Sequence, residues 1–220
     1  MASGFERDLD VILERLGLEG EPAEIVLRAR NKLVNMWRQR LVKSNHSVML
    51  LVIAGYLASK GFMVDVEVEL EPDLRTDVLA EWRGRRIIVE VETGYVPPSH
   101  SVDPLAYRAA RETYKIAKYS PYADIFVMAT PPYHVLQVPD PLLNPPEVRE
   151  KEDLMKVKAL VDRYYKNPPI SLEELSKAHL DYVYMVNVDG AEVYDLRSGE
   201  YLVKIIKPLY AGRSIWKELI

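Results

Sequence analysis

"RTDVLAEWRGRRIIVEVETGY", residues 75–95, carries the strongest fold signal in this chain. Two runs of alternating apolar and polar residues flank Arg83-Gly84, a pair suited to a tight two-residue turn, and the stretch therefore predicts a β-hairpin. Such a turn sets Asp77 across from Glu90 and Arg75 across from Glu92, all on one face. Side chains alternate across a strand, so the other face collects Thr76, Val78, Ala80, Ile87, Val89 and Val91 and is expected to meet the core. Carboxylates gathered across a sheet repel one another. Bulk water, a cationic side chain or a divalent cation can relieve that repulsion. The Val-Glu-Val-Glu alternation also describes a half-exposed strand, for which water suffices. Against this, apolar Leu79 and Ile88 on the acidic face imply that part of it is covered, and covered paired carboxylates make a hard-metal site.

Outward from the hairpin, "FMVDVEVEL" (62–70) precedes it as a further strand, giving a three-strand meander. Before that lie three helical patterns: residues 3–16, a second opening at Pro22 and running to about 43, and a third over roughly 45–60 with Ser44 as its N-cap and Gly61 as its stop. The third is apolar almost all round, which predicts a buried helix. After the loop "VPPSHSVDP" a helix is expected over 104–119, then "ADIFVMAT" as a short buried strand. Residues 131–146 are proline-rich and read as an irregular connection. Helices near 147–166 and 171–178 follow, then a strand "YVYMVNV" and a hairpin "AEVYDLRSGEYLVKII" turning at Ser198-Gly199. The organisation expected is N-terminal helices over 1–43, a core over 44–130, and an extension over 131–220 that completes or flanks the sheet, within the α/β class.

A chain of 220 residues with 48% hydrophobic and 28% charged side chains is long enough for one good core. It has no cysteine, so any metal must be held by oxygen or imidazole. Fifteen prolines beside many Arg, Glu and Tyr, scarce Gln and no Cys resemble the composition of a hyperthermophile protein. No apolar run reaches the roughly 20 residues of a membrane span, and the first residues lack a secretion-signal pattern; a cytoplasmic location away from membranes is the default expectation. The net charge of −4 hides an asymmetry: no acidic residue lies between Ile25 and Val64. Arg28, Arg38, Arg40 and Lys43 in that span are candidates for phosphate contact, and a basic face pairing with the acids before it is the alternative.

With Asp77 before the hairpin turn and "E90-V-E92" after it, following a buried helix and preceding a helix and an apolar strand, residues 44–130 resemble the PD-(D/E)XK nuclease superfamily, which includes restriction endonucleases and archaeal Holliday-junction resolvases. The resemblance implies a restriction-endonuclease-like core of helix, antiparallel meander, helix and strand. It also implies Asp77 and Glu90 as ligands of Mg2+ or Mn2+, joined by the Val91 carbonyl. Glu92 occupies the family's lysine slot, where some members use a glutamate to hold a second metal or act as general base. In others the lysine has moved to the next helix, which makes Lys115 and Lys118 candidates here, with Arg111 one turn before Lys115. His46 on the buried helix stands where an acidic residue often contributes in the family. Arg75 is either a cationic partner for the site or a plain cross-strand ion pair to Glu92. The chemistry implied is metal-assisted phosphodiester hydrolysis on duplex or branched DNA, in repair, recombination or defence, by a chain that forms a homodimer as members commonly do.

Two rivals drop the chemistry: a nucleic-acid-binding protein that keeps the fold without cleavage, and an oligomeric scaffold whose acidic face pairs with a partner's basic helix. Asp73 is a rival first acid, placed in a turn and out of line with Glu90. His100, His134 and His179 carry no assigned role. Trp37, Trp82, Tyr95, Tyr107 and Tyr114 are expected mainly in the core, with base stacking as the alternative.

Overall fold

The computed structural model describes residues 3–209. Its centre is a mixed six-stranded sheet in the order β1-β2-β3-β4-β5-β6. The strands are β1 (Met63–Glu71), β2 (Leu74–Trp82), β3 (Arg85–Val91), β4 (Ile125–Thr130), β5 (Tyr182–Asn187) and β6 (Glu192–Arg197). The first three form an antiparallel meander, β3, β4 and β5 run parallel, and β6 returns antiparallel. This is an α/β architecture.

The hairpin register follows the sequence expectation. Trp82 pairs with Arg85, Leu79 with Ile88 and Val78 with Val89. Arg83 and Gly84 both adopt positive φ, 49° and 77°, the signature of the primed turn whose twist suits a hairpin. Thr76, Val78, Ala80, Ile87, Val89 and Val91 are all buried.

Three helices cover that face: α1 (Gly4–Leu16), α2 (Gly20–Arg38) and α3 (Ser44–Ser59). Ser3 and Glu6 close α1 with a reciprocal capping box, and Gly17 ends it in the left-handed conformation. α3 lies between the sheet and the outer pair, so Leu50, Leu51, Val52 and Ile53 are buried in succession around its circumference. Ser44 is the first residue of α3, not its cap; Lys43 takes the cap position and no side chain closes it. α2 stops at Arg38, short of the expected 43, where Arg40 turns to φ 61° and releases the chain toward α3.

The opposite face is covered by α4 (Pro104–Tyr119), α6 (Lys151–Val161) and α7 (Leu172–Lys177), with the short α5 (Asp140–Leu143) in the proline-rich connection. Ala109, Ala110, Ile116 and Ala117 turn the small face of α4 inward. Ile88 is fully buried here and Leu79 packs beside it, as their position on the acidic face required.

The C-terminal hairpin is a correction. The turn lies earlier, between β5 and β6, with Ala191 at φ 50°. Ser198-Gly199 instead opens a helical stretch running to Leu209. Arg197 is extended before it and its N–H donates to the Glu200 carboxylate at 3.1 Å, which fixes a helix start. Tyr201 and Ile206 are both buried: five residues apart, they come to one side because Leu202–Ile206 is wound as a π-helix, and a strand would send them to opposite faces. β5 and β6 thus extend the same sheet as the meander.

Candidate functional site

Four carboxylates converge where the meander meets α4. Glu90 and Glu92 project from the end of β3 and are 1% and 4% exposed. Asp77 comes from β2, and its Oδ2 accepts the Val91 N–H at 2.7 Å while its own N–H donates to Glu90 at 3.1 Å. The fourth is Glu67 of β1, which sequence reasoning missed. It lies between the pairs Val66–Val78 and Val68–Thr76, and so opposite Asp77, but the signal depends on the β1-β2 turn and not on the hairpin. Glu67 has φ 51°, a strained conformation for a side-chain-bearing residue in a strand, of the kind that functional sites retain.

A cationic side chain is the first thing that holds this charge together. Lys115 on α4 places its Nζ 3.2 Å from Glu90, 3.0 Å from Glu92 and 3.7 Å from Asp77, and donates to the Val91 carbonyl at 3.0 Å. Arg111, one turn earlier on the same helix face, grips both oxygens of Glu92 through Nε at 2.9 and 3.1 Å. Of the two candidate lysines, Lys115 is central and Lys118 is outside the cluster: it pairs with Glu174 of α7 at 2.7 Å and lies near the Tyr114 ring. The Val91 carbonyl, expected to face a cation, faces the Lys115 ammonium.

On its other side Asp77 meets a different set. His46 Nε2 in the first turn of α3 is 3.0 Å from Asp77 Oδ1 and 3.9 Å from Glu67. One ligand atom each from His46, Glu67 and Asp77 lie within 4.8 Å of one another, a spacing that a metal ion could bridge. Arg75 does not pair with Glu92. By Glu92 the strand has passed beyond its pairing with β2, its N–H donating to Ala129 of β4, and Arg75 approaches Glu67 at 3.8 Å instead. Asp73, the rival first acid, is exposed in the β1-β2 turn with φ 65°.

Environment separates the acids. Burial alone would raise Asp77, but Lys115, His46 and the Val91 N–H outweigh it and hold its pKa at about 2. Glu90 is pushed the other way, to about 8, by burial and by the Asp77 charge beside it. Burial opposes the ionised form of Glu92 as well, yet Lys115 and Arg111 keep it below the usual carboxylate range. Glu67 is raised by burial and by Asp77. His46 is raised: burial works against its charge, and Asp77 more than compensates. Burial likewise opposes the Lys115 ammonium, but the three acids around it raise its pKa and keep it charged.

The acid-free basic span is mostly internally paired. Arg38 meets Glu6 at 2.5 Å, Arg30 meets Asp10 at 2.8 Å and Lys32 meets Asp65 at 2.9 Å. Arg28 and Arg40 are exposed, and Lys43 lies over the Tyr95 ring. The alternative reading of this span, a basic face paired to neighbouring acids, therefore describes Arg38 and leaves Arg28, Arg40 and Lys43 facing outward. Among the aromatics, Trp37 stacks on Phe5, Tyr107 on His100 and Tyr114 on Tyr165, whereas Tyr95 and Trp82 are exposed. His134 is buried against Arg108, Glu112 and the backbone of Gly94, behind the site. His179 lies 3.5 Å from Asp181, away from it.

No protein-family model matches this chain, and neither a curated protein nor a solved structure does. Among the described residues no helix is long and apolar enough to cross a membrane.

Proposed function

We propose that the chain is a divalent-metal-dependent phosphodiester hydrolase acting on DNA, with a restriction-endonuclease-like core of the PD-(D/E)XK kind. The observation that carries this reading is a set of four converging carboxylates, largely buried, beside an imidazole and a lysine, at the carboxyl end of a parallel strand. Burying that much like charge is costly unless cations compensate it, and such clusters are frequent at functional sites.

The donor set fits a hard divalent cation. Asp77 Oδ1, a Glu67 oxygen and His46 Nε2 stand close enough to share one ion, and Mg2+ or Mn2+ accepts oxygen-rich ligation with water filling the remainder. When bound, the cation supplies acidification of water and neutralisation of phosphate charge. Asp77, ionised at any physiological pH, is the common member of this group and of the lysine cluster. Lys115 fills the role of the missing lysine from the helix and presents its ammonium where a phosphate oxygen gains charge. Glu90, with its pKa near 8, is the better acid or base at neutral pH. Glu92 is fixed as an anion by Arg111 and Lys115, so its part is to orient those two cations and not to take a proton.

Incubating the purified protein with branched, nicked and single-stranded DNA, in Mg2+ and in Mn2+, tests the reading against Asp77→Ala and Glu90→Ala. Cleavage lost in both variants is the expected result, and cleavage surviving both removes the assignment. A second reading, a nuclease-fold protein that binds DNA without cutting it, is favoured by one feature: Lys115 and Arg111 already compensate much of the acidic charge. Tight binding without cleavage in either metal selects it.

A further inference from the structure

A groove of about 1200 Å3 opens at the carboxyl ends of β3 and β5 and beside the start of α3, directly next to the acidic site. Two of its lining residues adjoin site residues in the chain: Asn45 precedes His46, and Thr93 follows Glu92. We propose that this groove holds an unpaired stretch of polynucleotide, with its bases stacked on Tyr95 and Tyr133, while the adjoining phosphodiester lies at the carboxylates. The proposal deepens the nuclease reading and rests on it for the identity of the neighbouring site.

The rings are the first reason. Tyr95 is 64% exposed and Tyr133 85% exposed, an uncommon state for large aromatics that serve only packing. Both line the groove. The Lys43 ammonium stands 5.5 Å from the centroid of the Tyr95 ring, so a cation for a phosphate and a flat face for a base sit side by side.

Rigidity is the second. Gly94, at φ 81°, lets the backbone pass so close to the His134 ring that a Cβ there would meet its Nδ1 at 2.6 Å. His134 is itself locked against Arg108 at 2.8 Å. Tyr95 and Tyr133 are thus each next in sequence to a residue of one tight contact, and Pro131 and Pro132 stiffen the approach to Tyr133. The backbone beneath each ring is thus set in advance, and that part of the ordering cost is spared on binding.

The occupant follows from the shape. Bases in a duplex hide their faces in the stack, so exposed rings in a concave groove are useful only to bases that are splayed out. The volume exceeds the roughly 300–1,000 Å3 of a small-molecule pocket and suits a chain segment.

Fluorescence anisotropy in EDTA, where no strand is cut, provides the test. The probes are a blunt DNA duplex, the same duplex with a short single-stranded extension, and that extension made abasic. The extension is expected to tighten binding about tenfold or more over both other probes. Tyr95→Ala and Tyr133→Ala are each expected to remove about tenfold of that gain, whereas Tyr95→Phe and Tyr133→Phe retain it. Equal binding of the three probes, or alanine variants that bind the extension as wild type does, overturns the proposal. So does a finding that Tyr133→Ala dissolves a homodimer without affecting the extension, since the groove then belongs to a second copy of the chain. The two readings fail separately: a tyrosine-dependent preference in a protein that cuts nothing keeps the groove and removes the nuclease, and cutting without that preference does the reverse.

Discussion

The two faces of the β2-β3 hairpin are covered by helices and obey opposite chemistry. One presents Val78, Ala80, Ile87 and Val89 to α1, α2 and α3, and needs only to exclude water. The other presents Asp77, Glu90 and Glu92 beside Leu79 and Ile88 to α4, and needs a counter-charge or a proton for every acid it buries. The same alternation produced both, and the residue two positions along a strand decides which. A dry face fails when it loses volume; a charged one fails when it loses a partner.

The largest break in the comparison comes from Lys115→Met. It leaves Glu90 and Glu92 buried beside Asp77 with one cation fewer, and is expected to lower the unfolding free energy by about 3–5 kcal/mol at neutral pH in urea titrations. Mn2+ should restore part of that loss if the acids accept a metal. Stability equal to wild type would mean that Lys115 offsets no charge on Asp77 or Glu92. On the dry face Ile87→Ala should cost about 2–5 kcal/mol, through lost transfer energy and the cavity left behind. That cost is expected to be the same with and without Mn2+, a contrast read in the same titrations.

A smaller effect per increment sharpens the contrast through pH. The folded pKa of Glu90 is raised to about 8 from the model-compound value of 4.5, so between those values the folded state holds more protons than the unfolded one. Its contribution is complete below pH 4.5 and lost as pH rises through 8. Unfolding measured across that window should decline by up to about 1.4 kcal/mol per pH unit from this group, and Glu90→Gln should flatten the slope. Asp77, held near 2, adds the opposite trend only at acid pH: its stabilisation is present above 3.8 and disappears as pH falls through 2. Smallest of all, Arg38→Ala removes an ion pair whose cation is largely in water, and thermal unfolding should register less than about 1 kcal/mol.

How far the sequence exposed all this depends on how local the determinant is. The hairpin register from Trp82–Arg85 to Val78–Val89, and with it the meeting of Asp77 and Glu90, was legible because a two-residue turn fixes those pairs by counting; the expected Arg75–Glu92 pair failed because β3 has turned from β2 to β4 by Glu92. The buried α3 and the covered state of the acidic face followed from Leu79, Ile88 and an apolar run. Glu67 stayed hidden because its place opposite Asp77 is set by another turn, between β1 and β2, whose pairing the hairpin does not fix. Lys115 was visible only as one of several cations along α4; tertiary packing, which sets Lys118 against Glu174 instead, made the choice. Arg38 looked like a free phosphate contact because its partner, Glu6, belongs to another helix. Ser198-Gly199 misled because small polar residues open helices as readily as they turn hairpins, and the deciding contact is the Glu200 carboxylate on Arg197.

A calorimetric titration of Mn2+ into the purified protein near pH 8, repeated with Asp77→Ala and with Ile87→Ala, tests the central claim most directly. Saturable binding that disappears with Asp77→Ala and persists in folded Ile87→Ala is the result expected of a metal-binding acidic face. Heat no greater than dilution in the wild type, or binding indifferent to Asp77, would contradict it and leave the carboxylates to the protein's own cationic side chains, Lys115 and Arg111 first among them.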